Sequence, residues 1–420
     1  MAETAAAGSF VGRMCGMTTR RTPIRAEATS EDQSVTTLEL FFDLVFVFAL
    51  TQITALMAHD LTWPGVLRGV LLIGLLWWSW IGFSWVCNLV KADEGSVRGV
   101  MLAAMGAMFV IALAIPEAFH DLPGGLSGPV VIAIAYFVFR AMHLWLFWLI
   151  ADGDRVLRRT LARFAPAMVA ATALLLVASQ FHGTTQTLIW AAALAADYGG
   201  TYLVDARGWR LRSAAHFAER HGLIVIIALG ESIVAIGVGV TDLPISWPIL
   251  VASVLGLILA TALWWIYFDA TVHYGERALA AEPAETRPKL ARDAYTFLHF
   301  PMVAGIVLLA LGLKKVLEYV GDTEHHHLDD PLKGIGLYAL FFGVVLYLLG
   351  HVGFKWRTTH HLGISRLITA ALCVIALPLL AHVPALGQLA VLAALLTGLV
   401  AFESVRFAQE REALKHGEDA

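Results

Sequence analysis

Two carboxylates stand in stretches of sequence that are otherwise apolar, and they offer the clearest possibilities for chemistry. Asp43 follows two phenylalanines and precedes the apolar residues 44–49, while Glu231 follows Gly230 within another apolar run. An ionised side chain at the centre of a membrane span costs about 2.5–3.5 kcal/mol on insertion scales unless it faces protein or water. Each acid could bind a proton or a cation, or it could form a purely structural pair with another helix.

Further polar residues accompany Asp43 in the same run. Glu39 lies one helical turn before it, and Gln52 continues the polar content beyond it. Thr36 and Glu39 have the spacing of a helix capping box, which gives Glu39 a structural alternative to a binding role. We therefore keep Glu39 and Gln52 as candidate binding residues beside Asp43.

The run that holds Glu231 begins with the polar residues Glu219, Arg220 and His221. Glu219 and Arg220 could simply form an ion pair at the membrane interface. Arg220 and Glu231 are three helical turns apart and fall on nearly the same helix face. A buried Glu231 without a partner would favour its neutral form and could carry a proton. All four residues are candidate binding residues.

Arg140 lies near the middle of a third apolar run, with His143 three residues later. An arginine remains charged in proteins, so it needs a carboxylate or an anionic ligand nearby. Asp43 and Glu231 are the expected partners. Arg140 could form a structural salt bridge with one of them, or it could hold an anionic substrate. Asp197, in a further apolar run, is an additional candidate.

The whole composition is that of a protein that spans a membrane many times. Of 420 residues, 58% are hydrophobic and 15% are charged, with a net charge of -4, against about 45–50% and 25% in ordinary globular chains. The absence of a basic stripe excludes a nucleic-acid-binding protein. Three widely separated cysteines exclude a disulfide scaffold. The expected partners are the lipid bilayer and a small ion or solute.

Long apolar runs without two-residue alternation predict membrane-spanning helices of about 20 residues each. The predicted fold class is an all-α polytopic membrane protein with about twelve transmembrane helices. The predicted spans are 37–58, 65–87, 98–117, 129–151, 162–181, 186–205, 217–240, 247–269, 293–313, 333–354, 364–382 and 385–407.

The distribution of lysine and arginine gives this topology an orientation. Of the 29 such residues, 24 fall in segments on one side of the predicted membrane, three on the other, and Arg68 and Arg140 within spans. Cytoplasmic loops are enriched in basic residues. Both termini are therefore predicted to be cytoplasmic, and residues 1–36 are expected to be a flexible tail without a signal peptide.

The order of features suggests that the chain contains two parallel six-helix repeats, over residues 37–205 and 217–407. Thr-Trp-Pro at 62–64 matches Ser-Trp-Pro at 246–248, and each is followed by a Trp-Trp pair late in the same span. A basic linker at 206–216 and a charged tail at 408–420 complete the predicted organisation. Transporters with such repeats often bind their substrate between the two halves.

No cofactor or metal site is expected from the sequence motifs. The chain contains no Walker loop, dinucleotide fingerprint or zinc-protease motif. Three adjacent histidines in the loop at 324–330 could bind a divalent metal, but they lack the rigid spacing of a metal site. The expectation is a protein without cofactor or metal that is not an enzyme.

Two motifs resemble those of the bacterial low temperature requirement A (LtrA) family. They are ELFFDLVFVFA at residues 39–49 and ERHGLI at 219–224, the second followed by LGES at 229–232. The resemblance extends over about 35–407. It implies a multi-pass protein of the bacterial cytoplasmic membrane, linked by the family's name to growth at low temperature.

The chain is also similar, more distantly, to lysosomal-type potassium channels with two six-helix repeats. In those channels a short aromatic-acidic motif lies on the first helix of each repeat, and Phe42-Asp43 would be the first copy. The second copy departs from the pattern, because Leu223 stands at the position that matches Asp43. The acid comes later, at Glu231.

Three functional hypotheses follow. The leading one is a transporter or channel for a small solute or ion, in which Asp43 and Glu231 bind a cation or proton and Arg140 balances or gates them. The second is a membrane-embedded enzyme that acts on a lipid, since intramembrane carboxylates and histidines can perform acid–base chemistry. The third is a membrane sensor or scaffold.

Overall fold

The computed structural model describes residues 33–203, 209–241 and 243–408. Apart from residues 33–36 and 408, the predicted N-terminal and C-terminal tails lie outside the described residues, as does the beginning of the predicted linker. Helices make up almost all of the described chain, and no β-strand element occurs in it.

Twelve long helical segments follow one another among the described residues. They are α1 Thr37–His59, α2 Trp63–Leu89, α3 Gly95–Glu117, α4 Gly128–Ile150, α5 Arg155–Ala178, α6 Gly183–Leu203, α7 Ala214–Gly239, α8 Trp247–Ala281, α9 Arg287–Gly321, α10 Gly334–Thr359, α11 Ile364–Leu380 and α12 Ala385–Arg406.

Ten of these helices are long and apolar enough to cross a membrane. The two others are α11, which is apolar but has only 17 residues, and α6, which carries Gln186 and Asp197 in its interior. Each predicted span overlaps one helix, and the largest differences are at helix ends. The fifth helix begins at Arg155 rather than near residue 162, because the Asp154 side chain caps it by accepting hydrogen bonds from the first backbone N–H groups.

Local sequence explains where the other helices begin. The Thr36 hydroxyl accepts from the Glu39 backbone and the Glu39 carboxylate accepts from the Thr36 backbone, which confirms the predicted capping box. Thr62 caps α2 and Ser246 caps α8, each with proline in the first helical turn. Proline is favoured there because its missing N–H has no partner in any case.

Two short stretches of π-helix interrupt α8 and α9. They are Tyr267–Thr271, in the C-terminal half of α8, and Ala291–Phe297, in the N-terminal half of α9. A π-helical turn inserts an extra residue and rotates the side chains that follow it, and such turns are frequent at functional sites. Here they place the rings of Tyr267 and Tyr295 in the protein interior.

The helices pack as two groups of six that meet along α1, α2, α7 and α9. In the first group α1 contacts α2 and α3, and in the second α7 contacts α8 and α9. Contacts between the third and fourth, fourth and fifth, fifth and sixth, and second and sixth helices occur in both groups. The groups contact each other mainly through α1 with α7 and α9, and through α2 with the same two helices.

Glycines allow α9 and α10 to approach each other closely. A Cβ atom added to Gly343 would lie 2.5 Å from the backbone nitrogen of Leu309, and one added to Gly305 would lie 2.5 Å from the Gly343 carbonyl oxygen. Without a hydrophobic driving force between helices in lipid, van der Waals contact of this kind stabilises the bundle.

Gly343→Ala should therefore destabilise the bundle, because the added methyl group meets backbone atoms that cannot rotate away. We expect a loss of about 1–3 kcal/mol, as for overpacked cores, seen as a lower Tm of the purified protein in detergent. Gly106→Ala on α3 is the matched control, since no atom lies within 4 Å of its added Cβ. Equal Tm values for the two variants would contradict this packing.

Candidate functional site

The strongest polar contact between the two groups of helices joins Asp43 on α1 to Arg220 on α7. Nη1 of Arg220 lies 2.8 Å from Oδ2 of Asp43, and Nη2 lies 3.0 Å from Oδ1. Both side chains are almost completely buried, at 1% and 0% exposure. This two-bond geometry is the strong form of a carboxylate–guanidinium pair, so each charge is neutralised where water is absent.

The remaining surroundings of this pair also favour its charges. Trp80 on α2 donates its indole N–H to Oδ1 of Asp43 at 2.9 Å, and its ring lies 5.3 Å from the Arg220 guanidinium. Arg220 also donates to the Glu39 backbone carbonyl at 3.3 Å. Asp43 thus accepts two hydrogen bonds from Arg220 and one from the Trp80 indole. The cation–π contact with Trp80 further stabilises the Arg220 guanidinium.

A second pair lies one helical turn from the first. Nε2 of His216 on α7 is 3.2 Å from both carboxylate oxygens of Glu39 on α1, and both side chains are fully buried. Glu39 and Asp43 are four residues apart, as are His216 and Arg220. The two acids therefore face two basic groups in register, an arrangement that we call the charge ladder.

His216 was not among the residues predicted from the sequence, although its spacing from Arg220 repeats that of Glu39 and Asp43. The other residues predicted beside the ladder have different roles. Glu219 is exposed, and its carboxylate accepts a hydrogen bond from the Val35 backbone at 3.0 Å. Gln52 is half-buried on α1 and makes no side-chain hydrogen bond to these acids among the described residues.

Glu231 has a very different environment from Asp43. Its side chain has 0% exposure, and its Oε2 accepts a hydrogen bond of 2.6 Å from the Thr51 hydroxyl on α1. Its other oxygen has no partner, and no ion pair within 4 Å joins it to a described residue. Lys314 on α9 attracts it only from a longer distance.

Glu231 and the ladder occupy opposite halves of α7. Eleven residues separate Arg220 from Glu231, which corresponds to roughly 16 Å along the helix. The contacts of both acids nevertheless cross the same boundary, because Thr51 and Asp43 are on α1. Two acids therefore lie at the boundary between α1 and α7 at different depths. Asp43 is paired with Arg220, whereas Glu231 has no ion-pair partner among the described residues.

Arg140 does not contact Asp43 or Glu231, so the predicted partners of this arginine are wrong. Its Nη2 lies 3.1 Å from Oδ1 of Asp197 on α6, and the Tyr136 hydroxyl donates to the other oxygen of Asp197. Asp43 is already bound by Arg220, while Arg140 projects toward α6. Two candidates that the sequence left unconnected, Arg140 and Asp197, thus form one ion pair.

His143 completes this cluster. Its Nδ1 lies 3.4 Å from Nη1 of Arg140. Arginine can only donate, so Nδ1 accepts and the ring proton is on Nε2. The ring packs over Gly82 of α2, where an added Cβ would lie only 2.9 Å from Nε2. Glycine at this position leaves the space that the imidazole occupies.

A similar cluster occurs in the second group of helices. Arg366 on α11 contacts Glu403 on α12 at 3.0 Å and Nδ1 of His351 on α10 at 3.1 Å. The Thr271 hydroxyl, in the π-helical part of α8, accepts from the same guanidinium at 3.1 Å. This cluster is difficult to predict from the sequence, since Arg366 and Glu403 are close to helix ends, where polar residues are ordinarily explained by contact with water at the membrane interface.

Buried aromatic and imidazole rings fill the space between the ladder and the second cluster. His221 donates from Nδ1 to the Phe217 carbonyl at 2.8 Å and packs edge-on against Trp80. Nε2 of His299 lies 2.9 Å from the Tyr267 hydroxyl, and Tyr295 stacks on the same imidazole. The predicted candidate His221 therefore belongs to an aromatic layer rather than to the ladder.

The histidine-rich loop does not gather into a metal site. His325 lies 2.9 Å from Asp322, whereas His326 stacks on the ring of Tyr319. The hydrogen bond with His325 lowers the pKa of Asp322, and the same contact raises the pKa of His325. No group of three or more His, Cys, Asp or Glu side chains among the described residues could hold a metal ion.

Similarity to known proteins covers nearly the whole chain and includes the charge ladder, Glu231 and the Arg140–Asp197 pair. The sequence signature described as bacterial low temperature requirement A protein (LtrA) matches residues 34–401. The chain belongs to the LtrA family. Among curated proteins, an uncharacterized protein of Rhizobium meliloti (strain 1021) is 31% identical over 398 residues, which are 90% of this chain and 89% of the relative. No solved structure matches the chain.

Family membership confirms the resemblance drawn from the motifs at 39–49, 219–224 and 229–232. Together with the apolar helices it identifies this LtrA protein as a multi-pass membrane protein. The first motif contains both acids of the ladder, the second contains Arg220, and the third contains Glu231. The three LtrA motifs thus meet in space at the contact between α1 and α7.

Removing one charge of the ladder should destabilise this LtrA protein more than removing the charge of Glu231. Asp43→Asn leaves Arg220 buried and unpaired, which typically costs about 3–5 kcal/mol. Glu231→Gln is the matched control, because it makes the same change at a buried acid without an ion-pair partner. Thermal unfolding in detergent measures the difference, and the double variant Asp43→Asn with Arg220→Gln should regain part of the lost stability. Similar Tm values for the two single variants would contradict the assigned pairing.

Proposed function

We propose that this LtrA protein moves a proton or a small cation across the membrane and that Glu231 is the group that binds it. In this proposal the charge ladder closes the bundle on the side of the basic loops, and the path runs between α1 and α7. The protein transports an ion rather than catalysing a reaction.

The environment of Glu231 is the observation that carries the proposal. Every other fully buried acid described above faces a basic group: Glu39 faces His216, Asp43 faces Arg220 and Asp197 faces Arg140. Glu231 has the hydroxyl groups of Thr51 and Thr54 and the more distant Lys314 as polar neighbours, no ion pair within 4 Å to a described residue, and one oxygen without a hydrogen-bond partner. An ionised carboxylate is too costly to leave there alone, so Glu231 must hold a proton or a cation, and either can be exchanged.

The architecture supports a transporter built of two six-helix repeats. The same pairs of helices contact each other in both groups, and α2 and α8 share a capped Trp-Pro start. Each group also contains an arginine–histidine–carboxylate cluster, Arg140 in the first and Arg366 in the second. In repeat-based transporters the site lies between the repeats, which is where Glu231 and Thr51 meet.

The proposed topology has twelve spans with both termini in the cytoplasm of a bacterium, in its inner membrane. The bias of 24 basic residues to three supports this orientation. It puts the ladder in the cytoplasmic half of the bundle and Glu231 in the outer half. A cation or proton released from Glu231 toward the cytoplasm would have to pass the Asp43–Arg220 pair, so that pair is the contact that has to open.

Ion flux in proteoliposomes tests the proposal. Potassium, sodium and proton gradients are imposed one at a time, and flux is followed with ion-selective dyes. We expect the wild type to conduct at least one of these ions and Glu231→Gln to reduce that flux at least tenfold, because an amide can neither exchange a proton nor neutralise a cation. Glu285→Gln, which makes the same change at an exposed acid, should leave flux unchanged.

Two results would contradict this function. One is an absence of flux under all three gradients from protein that is folded by its Tm and elutes as a single species. The other is equal flux through the wild type and Glu231→Gln. In either case Glu231 would be a packing residue, and lipid substrates or protein partners would become the better explanation of the fold.

A further inference from the structure

A small, partly enclosed space lies beside Arg140. Its volume is about 50 Å³, and it is bounded by α2, α4, α5, α6, the segment before α7 and the beginning of α9. Its wall includes the aromatic rings of Trp78, Trp85, Phe147, Phe164 and Trp209. A buried space of this volume is larger than one water molecule requires.

Besides the Nε2–H of His143, three further N–H groups on residues that line this space have no partner. They are the indole N–H groups of Trp78 and Trp209 and the Nε–H of Arg140, and all three nitrogens are buried. Each of these groups can only donate a hydrogen bond. A buried donor without an acceptor costs about 1–3 kcal/mol, and three around one space indicate that an acceptor from outside the chain belongs there.

The charges around the space favour an anion. Its lining includes the guanidinium groups of Arg140 and Arg292 and no carboxylate. The acids that bind these arginines, Asp197 and Asp293, approach them from outside the lining. Asp197 contacts Nη2 of Arg140, which leaves Nε available. A cation would therefore meet two like charges, whereas an anion would meet donors.

We propose that this cavity binds a small monocarboxylate. The carboxylate oxygens accept the N–H groups of Trp78, Trp209 and Arg140, and the apolar part of the molecule lies against the aromatic wall. Aromatic rings would contribute little to a mineral anion, but they provide apolar contact for a hydrocarbon group. This site is separate from the proposed ion path, so it does not depend on whether Glu231 transports an ion.

Isothermal titration calorimetry of the purified full chain in detergent tests the site. Sodium acetate and sodium octanoate are the two probes, and sodium chloride is the salt control. Saturable binding of acetate indicates a soluble carboxylate, and binding of octanoate alone indicates a fatty acid. Either result supports the proposed carboxylate site, provided that the tryptophan variants weaken it.

Trp78→Phe and Trp209→Phe each remove one donor and keep an aromatic ring. Loss of one hydrogen bond to a charged group should weaken binding by about fivefold or more. Trp190→Phe is the matched control, because its indole N–H is also buried and unpartnered but lies outside the cavity. Each variant is first checked for a wild-type Tm, and Arg140 is left intact because it holds Asp197.

Binding that the control variant weakens as much as the two cavity variants would overturn the proposal. So would an absence of saturable heat with both carboxylates. Neither outcome depends on flux, so the carboxylate site and the transport proposal can fail separately.

Discussion

The structure depends above all on neutralising charge where water cannot reach. The path of α1 beside α7 is fixed by Asp43 and Arg220, whose two hydrogen bonds are possible only when the helices lie side by side with their polar faces in register. Glu39 and His216 repeat the arrangement one turn away. Because an unpaired charge in this interior costs several kcal/mol, the two groups of helices have one well-determined alignment, and the aromatic layer around His221 packs on it.

The same constraint gives Glu231 its significance. A bundle that pairs Asp43, Glu39, Asp197 and Glu403 with basic groups at hydrogen-bond distance leaves Glu231 with hydroxyl neighbours and only a distant lysine. Glu231 lies at the same boundary between α1 and α7 as the ladder and within the third LtrA motif, at residues 229–232. Ion movement between α1 and α7 requires at least two features. One is a group that can gain and lose a proton or a cation, which is Glu231 in this proposal, and the other is a contact that can open, which is the Asp43–Arg220 pair.

Much of the fold could be predicted from the sequence because the signals are local. Each predicted span overlaps one of the described helices, ten of which are long and apolar enough to cross a membrane, and the capping box at Thr36 was visible as a spacing. The partners of the buried charges could not be predicted, since they lie between 37 and 177 residues apart and depend on which helix faces meet. Arg140 therefore pairs with Asp197 and not with Asp43 as predicted. His216 was not predicted as a partner of Glu39, although its spacing from Arg220 equals that between Glu39 and Asp43. The proposed carboxylate cavity is lined by residues from six segments that are far apart in the chain, so no sequence motif marks it.

Infrared spectroscopy of the Glu231 carboxyl is the most direct test of the central claim. In buffer without potassium or sodium at neutral pH, the wild type should show the C=O band of a protonated carboxylic acid in a dry environment. Glu231→Gln should remove that band, whereas Asp43→Asn should keep it, because Asp43 is ionised beside Arg220. A wild-type spectrum without this band, or one in which Asp43→Asn removes it, would contradict the account of Glu231 as the exchangeable site.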